Sequence, residues 1–256
     1  MAYTIDMTDK VVLVTGGGRG VGDGVVETFL AAGAEVEICG RNAPDKLRQF
    51  DGRTACFSAV DVRDENQVDA WVRDVADRRG RIDIAVNNAG GAPFANFIDS
   101  SSRFLRKIND LNFLAAAFVA QAVHPVMRAG DGGVILNITS LSARRPSPGT
   151  AVYGAAKAAL ESLTRSLAVE WAPYIRVNAI SSGLVASPGA VDHYGDPEQS
   201  ARVAATIPRG VFATPTDIGN ACLMLASPLS SHITGAVLNV DGGGEWPAFL
   251  QHTPNA

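Results

Sequence analysis

Short apolar runs rich in β-branched residues alternate along this chain with longer segments whose apolar residues recur at helical spacing. This alternation is typical of repeated β-α-β units, and it predicts a mostly parallel sheet with helices on both faces. The expected fold class is therefore α/β, a doubly wound (Rossmann-type) sheet of about seven strands. We expect residues 1–256 to form a single dinucleotide-binding and catalytic domain.

The boundaries follow from where each periodic run begins and ends. The predicted strands are Val11–Thr15, Glu35–Cys39, Thr54–Ser58, Ile82–Val86, Val134–Ile138, Arg176–Ile180 and Val237–Val240. The predicted helices are Gly20–Ala32, Glu65–Arg79, Ser101–Met127, Tyr153–Trp171 and Thr216–Ala226. Ligands of such sheets bind at the carboxyl ends of the strands.

Two segments depart from this rhythm. Prolines and glycines interrupt residues 187–208, which predicts a long loop with a small helix and makes this segment a candidate substrate lid. The alternative is a surface excursion without function. Residues 245–256 form a C-terminal tail whose Trp246, Phe249 and Leu250 are too apolar for a free end, so we expect it to pack on a neighbouring subunit.

Composition narrows the class of protein. The net charge of -4 comes without a basic stripe, which argues against nucleic acid and favours a small-molecule substrate. No apolar run reaches the ~18 residues of a membrane span, so we expect a cytoplasmic protein. Cys39, Cys56 and Cys222 are far apart in apolar stretches and are interpreted as buried free thiols. The four histidines lack ligand spacing, so no metal is expected.

A glycine-rich turn follows the first predicted strand and precedes a predicted helix. Its spacing is Gly16-x-x-x-Gly20-x-Gly22, in which Gly16 suits a tight turn and Gly22 suits close helix packing. Backbone N–H groups at such a helix N-terminus can cradle a pyrophosphate. The turn predicts a dinucleotide site, with a glycine turn that binds nothing as the alternative.

The end of the second strand bears on which dinucleotide binds. An Asp or Glu there would accept the ribose 2′-hydroxyl of NAD, and neither Cys39 nor Gly40 is one. Arg41 follows directly, and Arg19 lies in the glycine turn. Two guanidinium groups suit a 2′-phosphate, so NADP(H) is predicted over NAD(H). Two solvated surface arginines remain the alternative.

Tyr153 and Lys157 stand four residues apart in a segment with the pattern of a helix start. On a helix, their side chains lie one turn apart on the same face. A cation ~4 Å away at an effective dielectric of ~20 supplies roughly 4 kcal/mol, enough to bring the pKa of a phenol near neutrality. We expect Lys157 to make Tyr153 a general acid/base. The alternative is a surface lysine beside a half-buried tyrosine.

Nearly the whole chain resembles the short-chain dehydrogenase/reductase family. The resemblance rests on the glycine turn, Asn87-Asn88-Ala89-Gly90, Ser140, the Tyr153/Lys157 pair and Asp241-Gly242-Gly243, which occur in the family's order. It implies that Tyr153 is the acid/base and that Ser140 hydrogen-bonds the substrate oxygen. It further implies that Lys157 lowers the Tyr153 pKa and holds the nicotinamide ribose, and that Asn112 holds a water of the proton relay.

The resemblance also extends the cofactor site. It implies Asp61 and Val62 at the adenine, and Val185 and Ser187 at the nicotinamide carboxamide, while Asn88 has the alternative of a purely structural bridge. Here Ser182 replaces the family's proline and Ser187 its threonine. The full set of expected cofactor residues is Gly16, Gly18, Arg19, Gly20, Val21, Gly22, Arg41, Asn42, Asp61, Val62, Asn88, Ala89, Gly90, Tyr153, Lys157, Gly183, Val185 and Ser187.

The substrate pocket is expected between residues 92–97, residues 142–148 and the lid around His193 and Tyr194. The first of these walls is apolar, so a hydrophobic ketone or alcohol fits better than a sugar. Arg144 and Arg145 could hold an anionic acyl thioester, but a solvated basic loop is the favoured interpretation.

Three functions compete. The favoured one is an NADP-dependent ketone reductase or alcohol dehydrogenase. The others are an NAD-dependent alcohol dehydrogenase and a silent nucleotide-binding scaffold. By resemblance the chain is expected to form a homodimer or homotetramer.

Overall fold

A computed structural model describes residues 4–187 and 194–248 of the chain. Seven strands form one parallel sheet in the order β5-β2-β1-β6-β7-β8-β9. These strands are β1 (Val11–Thr15), β2 (Glu35–Gly40), β5 (Cys56–Ala59), β6 (Ile84–Asn87), β7 (Gly133–Ser140), β8 (Ile175–Ser182) and β9 (Val237–Val240). The predicted doubly wound parallel sheet of seven strands is confirmed.

Helices cover both faces of the sheet. They are α1 (Gly20–Ala31), α2 (Glu65–Arg79), α3 (Ser102–Asn109), α4 (Ala115–Ala129), α5 (Ala151–Glu170), α6 (Pro197–Ala204) and α7 (Pro215–Ala226). Successive residues of β1 point to opposite faces, so Val12 joins α1 and α7 in one core, whereas Leu13 joins α2 and α4 in the other. Burial on both faces explains why the central strands are continuous apolar runs.

One predicted strand is wrong in part. Thr54 was expected to begin the third strand of the sheet, but it pairs instead with Gln49 in a small antiparallel hairpin of β3 (Gln49–Phe50) and β4 (Arg53–Thr54). The turn of this hairpin is tight, with positive φ at Asp51 and Gly52. The strand of the main sheet therefore starts only at Cys56.

The long predicted helix Ser101–Met127 is also corrected. A π-helical turn, Asp110–Leu114, separates α3 from α4. The amide Nδ2 of Asn112 donates to the Ile108 carbonyl at 2.9 Å. This side chain competes with the backbone for that carbonyl, which explains the extra residue in the turn.

The two irregular segments are described in part. The small helix expected within residues 187–208 is confirmed as α6. It begins with a capping box formed by Asp196 and Gln199. Residues 188–193, with His193, and residues 249–256, with Phe249 and Leu250, lie outside the described residues. The Trp246 N–H donates to the Thr206 carbonyl at 3.2 Å, so the start of the tail contacts the residues after α6.

The three cysteines are free thiols, and two of them are buried as expected. Burial raises the pKa of Cys39 to about 12 and raises that of Cys222 as well. Cys56 is only partly buried and lies 3.6 Å from Arg79 Nη2, so the expectation was wrong for it. Among the helices of the described ranges, none has the length and apolar character that spanning a bilayer requires.

Candidate active site

Successive strands are added on one side of β1 as far as β5, and then on the other side starting with β6. Ligands of such sheets bind at this switch point, between β1 and β6. Gly16 follows β1 with a φ of +65°, and its N–H donates to the Cys39 carbonyl at 2.8 Å. A Cβ at Gly22 would lie 2.2 Å from the Gly16 carbonyl oxygen. The first turn of α1 therefore approaches the glycine turn more closely than any residue with a side chain permits.

Asn88 braces this turn from the end of β6. Its amide donates to the carbonyls of Thr15 at 2.9 Å and Gly16 at 3.1 Å. The N–H groups of Asn88 and Ala89 both donate to Thr15 Oγ1 at 3.0 Å. These bonds support the structural alternative for Asn88, because its side-chain amide is engaged with the turn.

The two arginines expected at a ribose phosphate flank the glycine turn. Arg19 is the N-cap of α1, and both it and Arg41 are exposed. Neither forms an ion pair with another residue of the described ranges. The loop after β2 reaches the turn, because a Cβ at Gly18 would lie 3.2 Å from Pro44 Cβ.

Asp61, expected at the adenine, has a partner that sequence reasoning missed. Arg63 Nε donates to Asp61 Oδ1 at 2.8 Å. This hydrogen bond lowers the pKa of Asp61, and Arg41 lowers it further. The neighbouring Val62 is buried, and Asn42 is exposed. The spacing of two residues between Asp61 and Arg63 was the available signal.

Helix α5 begins at Ala151, two residues before the predicted start, and carries Tyr153 and Lys157 on one face. Lys157 is 3% exposed. Its ammonium donates to the Ile138 carbonyl at 2.9 Å and lies 5.7 Å from the centroid of the Tyr153 ring. The Ser140 hydroxyl lies close enough to the Tyr153 phenol to lower the pKa of that phenol. The structure thus brings Ser140, Tyr153 and Lys157 together.

The expected effect of Lys157 on Tyr153 is wrong in this structure. Burial raises the pKa of Tyr153, and only the Ser140 hydroxyl opposes this rise. Burial also lowers the pKa of Lys157 to about 8. The reason is geometric, since the ammonium binds the Ile138 carbonyl rather than the phenol oxygen.

Asn112 sits beside the lysine, held by the π-helical turn. It is 1% exposed, and its side chain accepts from the Gly91 N–H at 2.8 Å and donates to the Gly91 carbonyl at 2.9 Å. A Cβ at Gly90 would lie 2.8 Å from Asn112 Oδ1 and 3.0 Å from Lys157 Nζ. Gly90, Asn112 and Lys157 therefore meet at the carboxyl end of β6.

The segment after β8 closes the same edge of the sheet. Gly183 donates to the Val240 carbonyl at 3.0 Å, and a Cβ there would lie 2.7 Å from Asp241 Cα. A Cβ at Gly20 would lie 3.8 Å from Ser187 Cβ, which places this segment against the glycine turn. The substituted Ser182 donates to the Gly183 carbonyl at 3.2 Å. That hydrogen bond restrains the turn where the family has a proline.

A narrow apolar cleft, with a volume of about 10 Å³, lies beside Tyr153. Its apolar lining comprises Ala92, Pro93, Ala95, Phe97, Phe104, Ile108, Ala151 and Val152, with Ser100 and Thr150 as polar members. The Ala95 N–H donates to the Gly149 carbonyl at 2.8 Å. The wall opposite residues 92–97 is thus formed by residues 149–153 rather than by the expected residues 142–148. On the lid side, the Tyr194 ring stacks on Phe212 at 4.7 Å, and Tyr194 is close enough to Tyr153 to raise its pKa.

Arg144 is exposed and Arg145 is partly exposed, in keeping with the favoured interpretation of a solvated loop, but both are also paired. Arg144 Nε donates to Glu161 Oε2 at 3.3 Å and Nη1 to Asn239 Oδ1 at 2.6 Å. Arg145 forms an ion pair with Glu245 at 3.2 Å. Sequence reasoning missed these partners because they are far along the chain: Glu161 is 17 residues from Arg144, and Asn239 is 95 residues from it.

Comparison with known proteins shows to which family the chain belongs. A family model described as Enoyl-(Acyl carrier protein) reductase matches residues 16–245. A 3alpha-hydroxysteroid dehydrogenase of Mediterraneibacter gnavus is 36% identical over 92% of this chain and 97% of the relative. The chain belongs to the short-chain dehydrogenase/reductase family. As a member, it is an oxidoreductase that acts on an alcohol or ketone with NAD(H) or NADP(H).

Two other members show the range of the family. A peroxisomal 2,4-dienoyl-CoA reductase of Rattus norvegicus is 35% identical over 93% of this chain and 84% of the relative. A solved 7 alpha-hydroxysteroid dehydrogenase, complexed with NADH and 7-oxo glycochenodeoxycholic acid, superposes with a TM-score of 0.88. It is 32% identical, and the match covers 96% of this chain and 99% of that one.

Proposed function

We propose that this short-chain dehydrogenase/reductase transfers a hydride between NADP(H) and a hydrophobic ketone or secondary alcohol, with Tyr153 as the acid/base. The observation that carries the proposal is the approach of the Ser140 hydroxyl to Tyr153, whose side chain lines the apolar cleft. Two hydroxyl groups that converge there can hold one substrate oxygen from two sides. A keto or carbinol oxygen is the group that needs such a pair.

The residues fit a nicotinamide dinucleotide. The glycine turn leaves no room for a Cβ at Gly22, as a backbone cradle for phosphate requires. The Lys157 ammonium has three N–H donors, and among the described residues it uses one, for Ile138. Its remaining donors suit the hydroxyls of a ribose. A bound nicotinamide supplies or accepts the hydride.

The chain's own residues handle the proton. Tyr153 gives its phenol proton to the substrate oxygen in reduction and takes it back in oxidation. Ser140 holds the substrate oxygen during this exchange. Lys157, with its pKa lowered to about 8, is mostly charged at neutral pH and keeps a positive charge on the same helix face. Asn112 fixes the Gly91 backbone beside Lys157.

Arg19 and Arg41 support NADP(H) over NAD(H). Both are exposed beside the glycine turn, and no ion pair engages them within the described part of the chain. A 2′-phosphate can take two guanidinium groups, whereas a 2′-hydroxyl leaves both unpaired.

The cleft and the two paired arginines indicate the substrate class. Most of the cleft lining is apolar, which favours an uncharged hydrophobic substrate. Arg144 and Arg145 are engaged with Glu161 and Glu245, so neither is available as a handle for an acyl thioester. A neutral ketone or secondary alcohol is therefore favoured over the thioester.

The catalytic assignment is tested by Tyr153→Phe against Tyr174→Phe. Tyr174 is partly exposed under Arg128 and serves as the matched control. NADPH oxidation is followed with acetophenone, cyclohexanone and 2-tetralone. We expect turnover by the wild type and the control, and a loss of at least ~1000-fold in kcat for Tyr153→Phe with NADPH binding retained. A Tyr153→Phe enzyme with most of its activity contradicts the assignment.

Cofactor choice is tested by fluorescence titration with NADPH and NADH. We expect the wild type to prefer NADPH. Arg41→Ala should weaken NADPH binding by ~10-fold or more, because the variant loses the charge-assisted hydrogen bond between the Arg41 guanidinium and the 2′-phosphate. The control is Arg73→Ala, an exposed arginine on α2 that pairs with Asp69. Preference of the wild type for NADH instead favours the NAD-dependent alternative.

We further propose that the protein converts a small-molecule substrate in the cytoplasm and that it assembles as a homodimer or homotetramer. Light scattering at micromolar protein concentration tests the assembly, and a monomer contradicts it. A complete absence of turnover with every substrate class would instead favour the alternative of a non-catalytic nucleotide-binding scaffold.

A further inference from the structure

Helix α5 and strand β7 meet through polar contacts at four successive residues of the strand. The pairs are Asn137 with Thr164 at 2.9 Å, the Ile138 carbonyl with Lys157 at 2.9 Å, Thr139 with Glu161 at 3.2 Å, and Ser140 with Tyr153. Two of these pairs contain proposed catalytic side chains. The pair of Thr139 and Glu161 lies between them and has no part in the function described so far.

Glu161 is a buried carboxylate, 5% exposed, one helical turn beyond Lys157. Its Oε1 accepts from Thr139 Oγ1 at 3.2 Å, and its Oε2 accepts from Arg144 Nε at 3.3 Å. Thr139 directly precedes Ser140, and Arg144 follows it by four residues. One side chain on α5 therefore holds the chain on both sides of Ser140.

The contacts of Glu161 extend to two further strands. Thr139 Oγ1 also lies 3.3 Å from the Ile180 carbonyl of β8. Arg144 Nη1 donates to Asn239 of β9 at 2.6 Å. A buried carboxylate is costly without partners, so Thr139 and Arg144, which donate to Glu161, are restrained by the charge that they satisfy.

We propose that Glu161 is a positioning residue, which holds the Ser140 hydroxyl against the Tyr153 phenol through Thr139 and Arg144. Ser140 ends β7 and enters a short 3₁₀ turn, Leu141–Ala143, so its place is set by what fixes the chain on either side. A misplacement of ~1 Å in a reacting group can reduce a rate by ~100-fold. The inference rests on the catalytic roles proposed above for Ser140 and Tyr153.

Glu37 provides the matched control. It is likewise a buried carboxylate, 0% exposed, and it binds Arg78 and Arg79 of α2 at 3.0 and 2.8 Å. It lies on β2, and its partners hold no catalytic side chain. Loss of either carboxylate should weaken the fold, but only the loss of Glu161 should misplace Ser140.

The experiment compares full-length Glu161→Ala, Glu161→Gln, Glu37→Ala and Ser140→Ala proteins, with kcat for the fastest of the three ketones, the NADPH dissociation constant and the melting temperature. We expect kcat to fall ~10- to 100-fold in Glu161→Ala with NADPH binding unchanged, and to stay near wild type in Glu37→Ala. Glutamine can still bind both Thr139 and Arg144, so Glu161→Gln should recover most of the loss.

A double variant decides whether Glu161 acts through Ser140. In the Ser140→Ala background, adding Glu161→Ala should change kcat less than ~2-fold, because the group being positioned is already gone. A full additional loss there, or equal losses of kcat in Glu161→Ala and Glu37→Ala, overturns the proposal.

Folding failure and failure of the catalytic assignment are both distinguishable. Should Glu161→Ala not fold, Thr139→Val replaces it, since valine keeps the shape and removes the hydroxyl; unchanged kcat in that variant overturns the proposal. Activity retained in Tyr153→Phe refutes the catalytic assignment. An inactive Tyr153→Phe beside a fully active, folded Glu161→Ala refutes the positioning role alone.

Discussion

Replacing Lys157 with methionine is expected to stabilise the fold at neutral pH while abolishing turnover. Burial lowers the pKa of Lys157 from its ordinary value of 10.5 to about 8. At 1.36 kcal/mol per pH unit, keeping this charge in the interior costs about 3 kcal/mol. Methionine has a similar length without the charge, but it leaves the Ile138 carbonyl without its donor, at a cost of about 1–2 kcal/mol. The net gain at neutral pH is about 1–2 kcal/mol.

The pH dependence is the sharper signature of this charge. The folded pKa of Lys157 lies below the unfolded one, so between about pH 8 and 10.5 the unfolded state binds more protons than the folded state. The contribution of Lys157 to the free energy of unfolding therefore rises with pH in this window. Methionine removes that rise, so the advantage of the variant is complete below about pH 8 and shrinks above it.

The assay is urea unfolding of both proteins at about pH 7 and about pH 9.5, followed by tryptophan fluorescence at one protein concentration. Other groups titrate equally in the two proteins, and they cancel in the difference between them. A difference that stays constant with pH would refute the reasoning. A variant that is less stable than wild type at neutral pH would do so too.

Gly22→Ala places a Cβ 2.2 Å from the Gly16 carbonyl oxygen, so the NADPH dissociation constant should rise ~10-fold or more, measured by fluorescence titration. Gly130→Ala, whose Cβ would meet nothing closer than 3.7 Å, should bind as wild type does. In Asp83, hydrogen bonds from Arg81, Val11 and Lys10 outweigh burial and lower the carboxyl pKa. The contribution of Asp83 to stability is present above pH 3.8 and is lost as the pH falls through the lowered pKa. In a circular dichroism titration, the stability of Asp83→Asn should therefore fall less steeply with decreasing pH than that of the wild type.

Much of the fold could be predicted because it follows from local patterns. The first strand, Val11–Thr15, has the predicted bounds because it is a short apolar run buried on both faces, and the edge strand Val237–Val240 has the predicted bounds as well. The predictions failed where a short hairpin or a side-chain contact intervened. Thr54 joined a hairpin, and the side chain of Asn112 inserted a π-helical turn into a helix whose apolar spacing gave no sign of it.

The sequence by itself determined the fold class, the family and the residues brought to the carboxyl edge of the sheet. It could do so because a glycine turn and a Tyr153/Lys157 spacing each specify local geometry. Only the tertiary structure decided the electrostatics of the site. Burial by distant elements raises the Tyr153 pKa, and the loop arginines find Glu161, Asn239 and Glu245 through folding alone. Pairing and desolvation depend on three-dimensional neighbours, which spacing along the chain does not encode.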